Sequence, residues 1–403
     1  MVVLVLATTL AVIFAGVSTA DKQDIRQRYL SENFNLQSTG VVIGNDESAF
    51  GTGSVADQNL FSIPVEGIPF CGSHLPSNVS VKHTHAINIE DFPCLKSPRV
   101  DEIALRTAAI RYPSEIVYNN TVHDLFPKLS ISNMENRLTT LSKFQNRYFL
   151  STQGKEAAEW ILREVQYIIS NSSASTAKVA TFKHTRWPQD SVVATIPGRS
   201  ESKIIVGAHL DTINVQTLNQ IDLRAPGADD DGSGTVSNME AFRVLLSDPK
   251  IAAGEAANTL EFHWYAAEEV GLWGSLDTFD THCSKNVFVK AMLQQDMTGF
   301  ANGKMGLVTD HAHQGLTDYM RKLIDAYTSI SYSETRCGYA CSDHAAATKA
   351  NYPAAFVFET EVQKHNPDIH TEDNDLDHIS YDHMLEYAQL VVGYAYELAF
   401  TTL

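Results

Sequence analysis

Three consecutive carboxylates, Asp229, Asp230 and Asp231, lie within Ala225-Pro226-Gly227-Ala228-Asp229-Asp230-Asp231-Gly232-Ser233-Gly234. Neighbouring carboxylates raise one another's pKa or require a cation, so whatever folds around this triplet must deal with its charge. Proline and glycine before it and Gly-Ser-Gly after it specify a loop whose backbone turns sharply and can approach another group closely. Val236 to Leu246 reads as a helix, which puts the triplet just ahead of a helix N-terminus. Taken alone, the triplet reads as a solvated acidic turn or a helix cap. Two neighbouring stretches argue for a different use.

The first is Lys203-Ile204-Ile205-Val206-Gly207-Ala208-His209-Leu210-Asp211-Thr212, a short buried strand that runs out into His209 and Asp211. The second is Thr259 to Leu272, where an apolar run ends in Glu268-Glu269. A third run, Val287 to Gln295, delivers Asp296 at its end, and a later loop carries Asn366-Pro367-Asp368-Ile369-His370-Thr371. Open α/β sheets place their sites beyond the carboxyl ends of their strands. Imidazole together with many carboxylate oxygens suits zinc or a similar divalent ion.

Between these stretches, strands and helices alternate. Helices are expected over Met134 to Leu150, Gly154 to Ser170, Val236 to Leu246, Gly274 to Phe279, Leu316 to Ser329, Ser342 to Ala350 and Tyr381 to Phe400. Strands are expected over Ser191 to Ile196, the run before His209, Leu260 to Ala266, Val287 to Gln295 and Pro353 to Phe358. The alternation predicts an α/β fold, a mostly parallel central sheet with helices on both faces.

The 403 residues allow one large domain with a smaller one, and an apolar fraction of 44% supports a substantial core. The net charge of −18 disfavours nucleic acid and anionic membrane as partners. Met1 to Ala20 is apolar and ends in small residues, which fits a secretory signal peptide without the usual basic start. Sequons at Asn78, Asn119 and Asn171 agree with secretion. Residues 21–112, with scattered prolines and a His83/His85 patch, read as a propeptide or accessory segment ahead of a catalytic domain over 113–403. Cys71 and Cys94 could pair, leaving Cys283 as a buried free thiol. Cys337 and Cys341 could close a tight loop or serve as a redox or metal pair.

His209, Asp230, Glu269, Asp296 and His370 form a candidate ligand set. Two imidazoles and three carboxylates exceed one tetrahedral ion and suit two, roughly 3.5–4 Å apart, with a carboxylate between them. Glu268 points away from Glu269 on an extended segment. It is therefore free to take a proton from water and return it to a leaving amine.

The motifs AHLDT, APGADDDGSG, YAAEEVGLWGS, QQDMT, CGYACSDH and NPDIHT, in this order, resemble the co-catalytic zinc aminopeptidases of metallopeptidase family 28, and most closely its secreted bacterial and fungal leucine aminopeptidases. The likeness covers about Pro113 to the C-terminus. It implies the zinc-peptidase (phosphorylase/hydrolase-like) architecture and two zinc ions bridged by Asp230. His209 and Asp296 would complete one site, Glu269 and His370 the other. Glu268 would be the general base. Asp211 would hold the far nitrogen of His209, and Tyr339 would donate to the oxyanion. A Cys337–Cys341 disulfide, a cis Asp230–Asp231 peptide and a supporting role for Ser342 are also implied. The substrate would be the free N-terminus of a peptide or protein. An apolar pocket drawn from Met297, Val308, Phe356, Phe358 and Ile369 would favour Leu, Phe or Met as first residue. Val362 and His365 replace aromatic side chains of the bacterial enzyme and predict a wider or more polar rim. The expected protein is a secreted, extracellular monomer.

Singly, each residue has a plainer reading. His209 could be a satisfied histidine at a strand end, Asp211 a turn cap, Asp296 a loop cap and Glu269 half of an ion pair. His370 could simply be exposed, and Tyr339 a packing aromatic. Other metal hydrolases on the same fold (a carboxypeptidase, a deacylase, a one-zinc cyclase) are rivals, as is a metal-free binding ectodomain. The complete five-ligand set and Glu268 argue against the one-zinc and metal-free forms. The lack of an inserted dimerisation domain between Asp230 and His370 argues against the carboxypeptidase and deacylase types.

Overall fold

The structure, a computed structural model, describes residues 91–216 and 220–403. The expected signal peptide, most of the expected accessory segment, Cys71, His83, His85 and the sequon at Asn78 lie outside the described residues. In chain order come α1 (Arg99–Thr107), α2 (Asn119–Leu125), α3 (Ile131–Leu141), α4 (Thr152–Ser170), β1 (Lys178–Phe182), β2 (Ser191–Ile196) and β3 (Lys203–His209). Then follow α5 (Gly234–Leu245), α6 (Pro249–Ala252), β4 (Thr259–Tyr265), α7 (Trp273–Ser284), β5 (Val289–Asp296) and β6 (Met305–Val308). The chain ends with α8 (Gln314–Tyr327), β7 (Tyr332–Thr335), α9 (His344–Lys349), β8 (Ala354–Phe358) and α10 (Tyr381–Phe400).

The strands form one eight-stranded sheet in the order β1-β2-β4-β3-β5-β8-β6-β7. Its middle, β4-β3-β5-β8, is parallel, as the strand–helix alternation requires. Antiparallel pairings join β1 to β2, β2 to β4 and β6 to β8. The continuous apolar run of β3 reflects burial on both faces: Ile204, Val206 and Ala208 pack in one apolar cluster and Ile205 in another. The first cluster is covered by α3, α4, α5, α8 and α10, the second by α1, α7 and α9.

Local chemistry sets most helix ends. The Ser151 hydroxyl accepts the Gly154 N–H and starts α4, whose Ala157, Ala158, Ile161, Val165 and Ile168 form the buried stripe. On α3, Met134, Leu138 and Leu141 are buried at helical spacing, and truncating one such side chain to Ala costs about 2–5 kcal/mol. The helix expected to run to Leu150 stops at Leu141, because Arg147 and Phe149 are drawn into other contacts. Arg147 is buried against the loops beyond the carboxyl end of β3, and Phe149 stacks edge-on with Trp273 at 5.4 Å. Strands β1, β6 and β7 were not expected. They are four or five residues long, lie towards the two ends of the sheet and are specified by pairing rather than by pattern.

The expected cysteine pairing is corrected. Cys94 is bonded to Cys283, Cα–Cα 5.9 Å, so it is not paired with Cys71 and Cys283 is not a free thiol. The physical reason is local. The turn at Cys94 packs on α7, where the Asp280 carboxylate accepts the N–H groups of Cys94 and Leu95 at 2.8 and 3.1 Å. Cys337 and Cys341 are joined across four residues. Asn119 and Asn171 are both exposed.

Candidate metal centre

The three carboxylates of the acidic loop separate by pointing three ways. Asp229 accepts the Gly299 N–H at 2.9 Å and the Asn366 amide at 2.9 Å. Asp231 accepts the N–H groups of His209 (3.1 Å), Gly234 (3.0 Å) and Met297 (2.9 Å), bracing the ends of β3 and β5 against the start of α5. A Cβ at position 234 would lie 2.4 Å from the Asp231 carboxylate, so glycine is required there. Only Asp230 is left facing the pocket. Its peptide bond to Asp231 is cis.

Asp230 presents one oxygen to each of two donor groups. Its Oδ1 lies 3.0 Å from His209 Nε2, which is 3.5 Å from Asp296 Oδ1. Its Oδ2 lies 3.0 Å from His370 Nε2, which is 2.8 Å from Glu269 Oε2. The donor atoms within each group lie within 4.8 Å of one another. All five expected ligands are therefore brought together, with Asp230 shared. Burial alone would lower the His209 and His370 imidazoles, but the surrounding carboxylates hold both well above the ordinary value. A pocket that attracts protons this strongly also attracts a divalent cation. Burial, with Asp230 alongside, lifts Glu269 to about 7. The donor set, imidazole nitrogen with carboxylate oxygen, fits zinc.

Glu268 is buried and lines the same pocket, and burial first of all raises its carboxyl well above the ordinary range. Ala267, Met297 and His370, each at or beside a pocket residue, hold positive φ angles of 55°, 61° and 58°. Asp211 Oδ1 lies 3.6 Å from His209 Nδ1, beyond hydrogen-bond distance. The Ser342 hydroxyl donates to Asp296 Oδ2 at 2.6 Å. Tyr339 lines the pocket on the Cys337–Cys341 loop and is 42% exposed. Met297, Phe356, Phe358 and Ile369 line the apolar side, with Val362 and His365 at the same pocket. Val308 packs with Met297, Phe356 and Phe358 but does not reach the lining.

Sequence reasoning missed several residues that build the site. Arg147 is fully buried and donates to the carbonyls of Leu210 (2.7 Å), Pro226 (2.5 Å) and Gly227 (2.9 Å), joining the end of β3 to the loop that carries Asp230. Burial lowers its guanidinium to about 10 against the pull of Asp231, Asp230, Asp211 and Glu269, so it stays charged. Asn374 Oδ1 accepts the N–H of Asp229 at 2.9 Å. The Asp310 carboxylate accepts the N–H groups of Cys337 and Gly338. None belongs to a local motif.

The sequence pattern of Peptidase family M28 matches residues 191–395. The chain is 45% identical over 304 residues to leucine aminopeptidase 1 of Leptosphaeria maculans, covering 73% of this chain and 78% of that one. It is 48% identical over 304 residues to leucine aminopeptidase 1 of Uncinocarpus reesii, covering 73% and 76%. Among solved structures it is similar to the LapA aminopeptidase of Legionella pneumophila, with a TM-score of 0.66, 33% identity and coverage of 73% and 78%.

Proposed function

The chain belongs to peptidase family M28 and is an aminopeptidase, and from that premise we propose that it is a secreted enzyme that removes apolar first residues, such as leucine, from peptides using two zinc ions. The observation that carries this reading is Asp230, whose two oxygens face two separate donor groups. His209 and Asp296 would hold one ion, Glu269 and His370 the other. When bound, the ions supply Lewis acidity and lower the pKa of water towards neutrality.

The remaining work falls to the chain. Glu268, free of the ligand groups and raised by burial, takes the proton of the attacking water and hands it to the leaving amine. Tyr339 donates to the carbonyl oxygen as it gains charge. Asp211 positions Glu268 and Glu269 through their backbones. Met297, Phe356, Phe358 and Ile369 receive the first side chain. Secretion is supported by the apolar Met1 to Ala20 and by two disulfides, which persist in oxidising compartments. No helix among the described residues is long and apolar enough to cross a membrane. Residues 21 to about 112 are read as a propeptide or accessory segment, whose last part is held by the Cys94–Cys283 disulfide and by Ile103 of α1 in the second apolar cluster.

The test compares leucine p-nitroanilide with N-acetyl-leucine p-nitroanilide, on zinc-loaded protein after removal of the N-terminal segment. Cleavage of the free amine alone is expected. Cleavage of the blocked substrate at a similar rate, or of neither, overturns the reading.

A further inference from the structure

A second place in the fold gathers metal-binding side chains away from the dinuclear pocket. Glu261 and His263 are two residues apart on β4 and so share one face of the sheet. His282 reaches the same carboxylate from α7, which covers that face. Glu261 Oε2 lies 3.1 Å from His263 Nε2 and 3.7 Å from His282 Nε2. Tetrahedral zinc with bonds of about 2.0–2.1 Å sets its donors roughly 3.4 Å apart. The two catalytic groups show carboxylate–imidazole separations of 3.0 and 3.5 Å, and of 3.0 and 2.8 Å, so the third group repeats their spacing.

We propose that Glu261, His263 and His282 form a third divalent-cation site, structural rather than catalytic, that takes zinc or another metal favouring imidazole and leaves a fourth position to water.

The ring orientations support it. His282 Nδ1 faces the Thr278 carbonyl at 2.9 Å, so Nδ1 is the donor nitrogen and Nε2 is the one turned to the Glu261 carboxylate. The other carboxylate oxygen, Oε1, is held by the Lys203 ammonium at 2.9 Å and approached by the Thr195 hydroxyl at 3.4 Å. These contacts orient Glu261 so that Oε2 alone is offered. Lys203 also weakens the carboxylate's attraction for a cation. Glu261 and His282 are partly open, with side-chain exposures of 10% and 13%, which gives an ion a way in.

The consequence is mechanical. A metal here would fasten α7 to β4 one residue from Cys283, whose disulfide fastens the same helix end to Cys94. None of the three residues lines the catalytic pocket. Glu261 sits four residues before the end of β4, about 13 Å of strand.

The test counts metal by mass spectrometry in the full chain at equilibrium with micromolar free zinc, and follows Tm as zinc is raised. The wild type is expected to hold one equivalent more than His282→Gln and than Glu261→Gln. Its Tm should rise by several degrees with zinc over a range in which the variants do not respond, while turnover of leucine p-nitroanilide stays equal in all three. Equal metal content in wild type and both variants overturns the proposal, as does a zinc-dependent Tm rise of the same size and range in wild type and His282→Gln. Because the readout is a difference of one equivalent, it is independent of how many ions the catalytic pocket holds.

Discussion

One oxygen of the Asp211 carboxylate accepts the backbone N–H of Glu268 at 2.9 Å, and its other oxygen accepts that of Glu269 at 3.2 Å. A residue just past β3 thus holds the segment just past β4 from which both glutamates project. Asp211→Asn keeps the volume but replaces one acceptor with a donor that faces an N–H. A fall of about 10–100-fold in kcat or zinc affinity is expected. Kinetics and chelator competition check it, and unchanged values for both would remove Asp211 from the site.

Glu268→Gln keeps the shape of the pocket and removes the proposed proton acceptor. The expected result is unchanged zinc content with kcat lower by about 10²–10⁴-fold. Zinc loss in this variant would mean that Glu268 is itself a ligand.

Arg147 ties Leu210, Pro226 and Gly227 together from a fully buried position. Arg147→Gln leaves carbonyls short of donors, at about 1–3 kcal/mol for each one left unpaired. Arg147→Lys keeps the charge but not the fork. Urea midpoints and zinc retention should both fall in the order wild type, Lys, Gln. Full zinc retention in the Gln variant would restrict Arg147 to a general packing role.

Asp310 clamps the loop that carries Tyr339 by accepting the N–H groups of Cys337 (3.1 Å) and Gly338 (2.6 Å). If Asp310 acts through Tyr339, Asp310→Asn should lower kcat in the wild type but have little further effect on Tyr339→Phe. A double-mutant cycle measures this. Additive losses would show that the clamp and the tyrosine act separately, and no loss in Tyr339→Phe would remove the tyrosine from the mechanism.

Glu359 is buried beside Asp229, and burial first, then the Asp229 charge, raises its carboxyl well above 4.5. The folded chain therefore keeps a proton there that the unfolded chain releases near its ordinary value. The resulting stabilisation is complete below about pH 4.5 and is lost as pH rises towards the folded pKa, at about 1.4 kcal/mol per pH unit. Glu359→Gln mimics the protonated form and should flatten the fall of the urea midpoint above pH 5. An equal slope in both proteins would show that Glu359 is ionised in the fold.

Much of the candidate site was legible because its residues are concentrated in short segments at strand ends. His209, Asp230, Glu268, Glu269, Asp296 and His370 each follow a recognisable apolar run or sit in a loop rich in turn residues, and local pattern is what a sequence displays. The parallel middle of the sheet was legible for the same reason. The short outer strands β1, β6 and β7 were not, because four or five residues without strong alternation form a strand only when a partner pairs with them.

The order of residues alone determined which side chains could serve as ligands and which strand ends would carry them, since both follow from residue type and periodicity along the chain. Only the tertiary structure decided that Cys94 meets Cys283, that Arg147 sits behind the acidic loop, and that Glu261, His263 and His282 meet on one face. Those encounters join residues far apart in sequence. They are set by how helices pack on a twisted sheet, and no local pattern encodes that geometry.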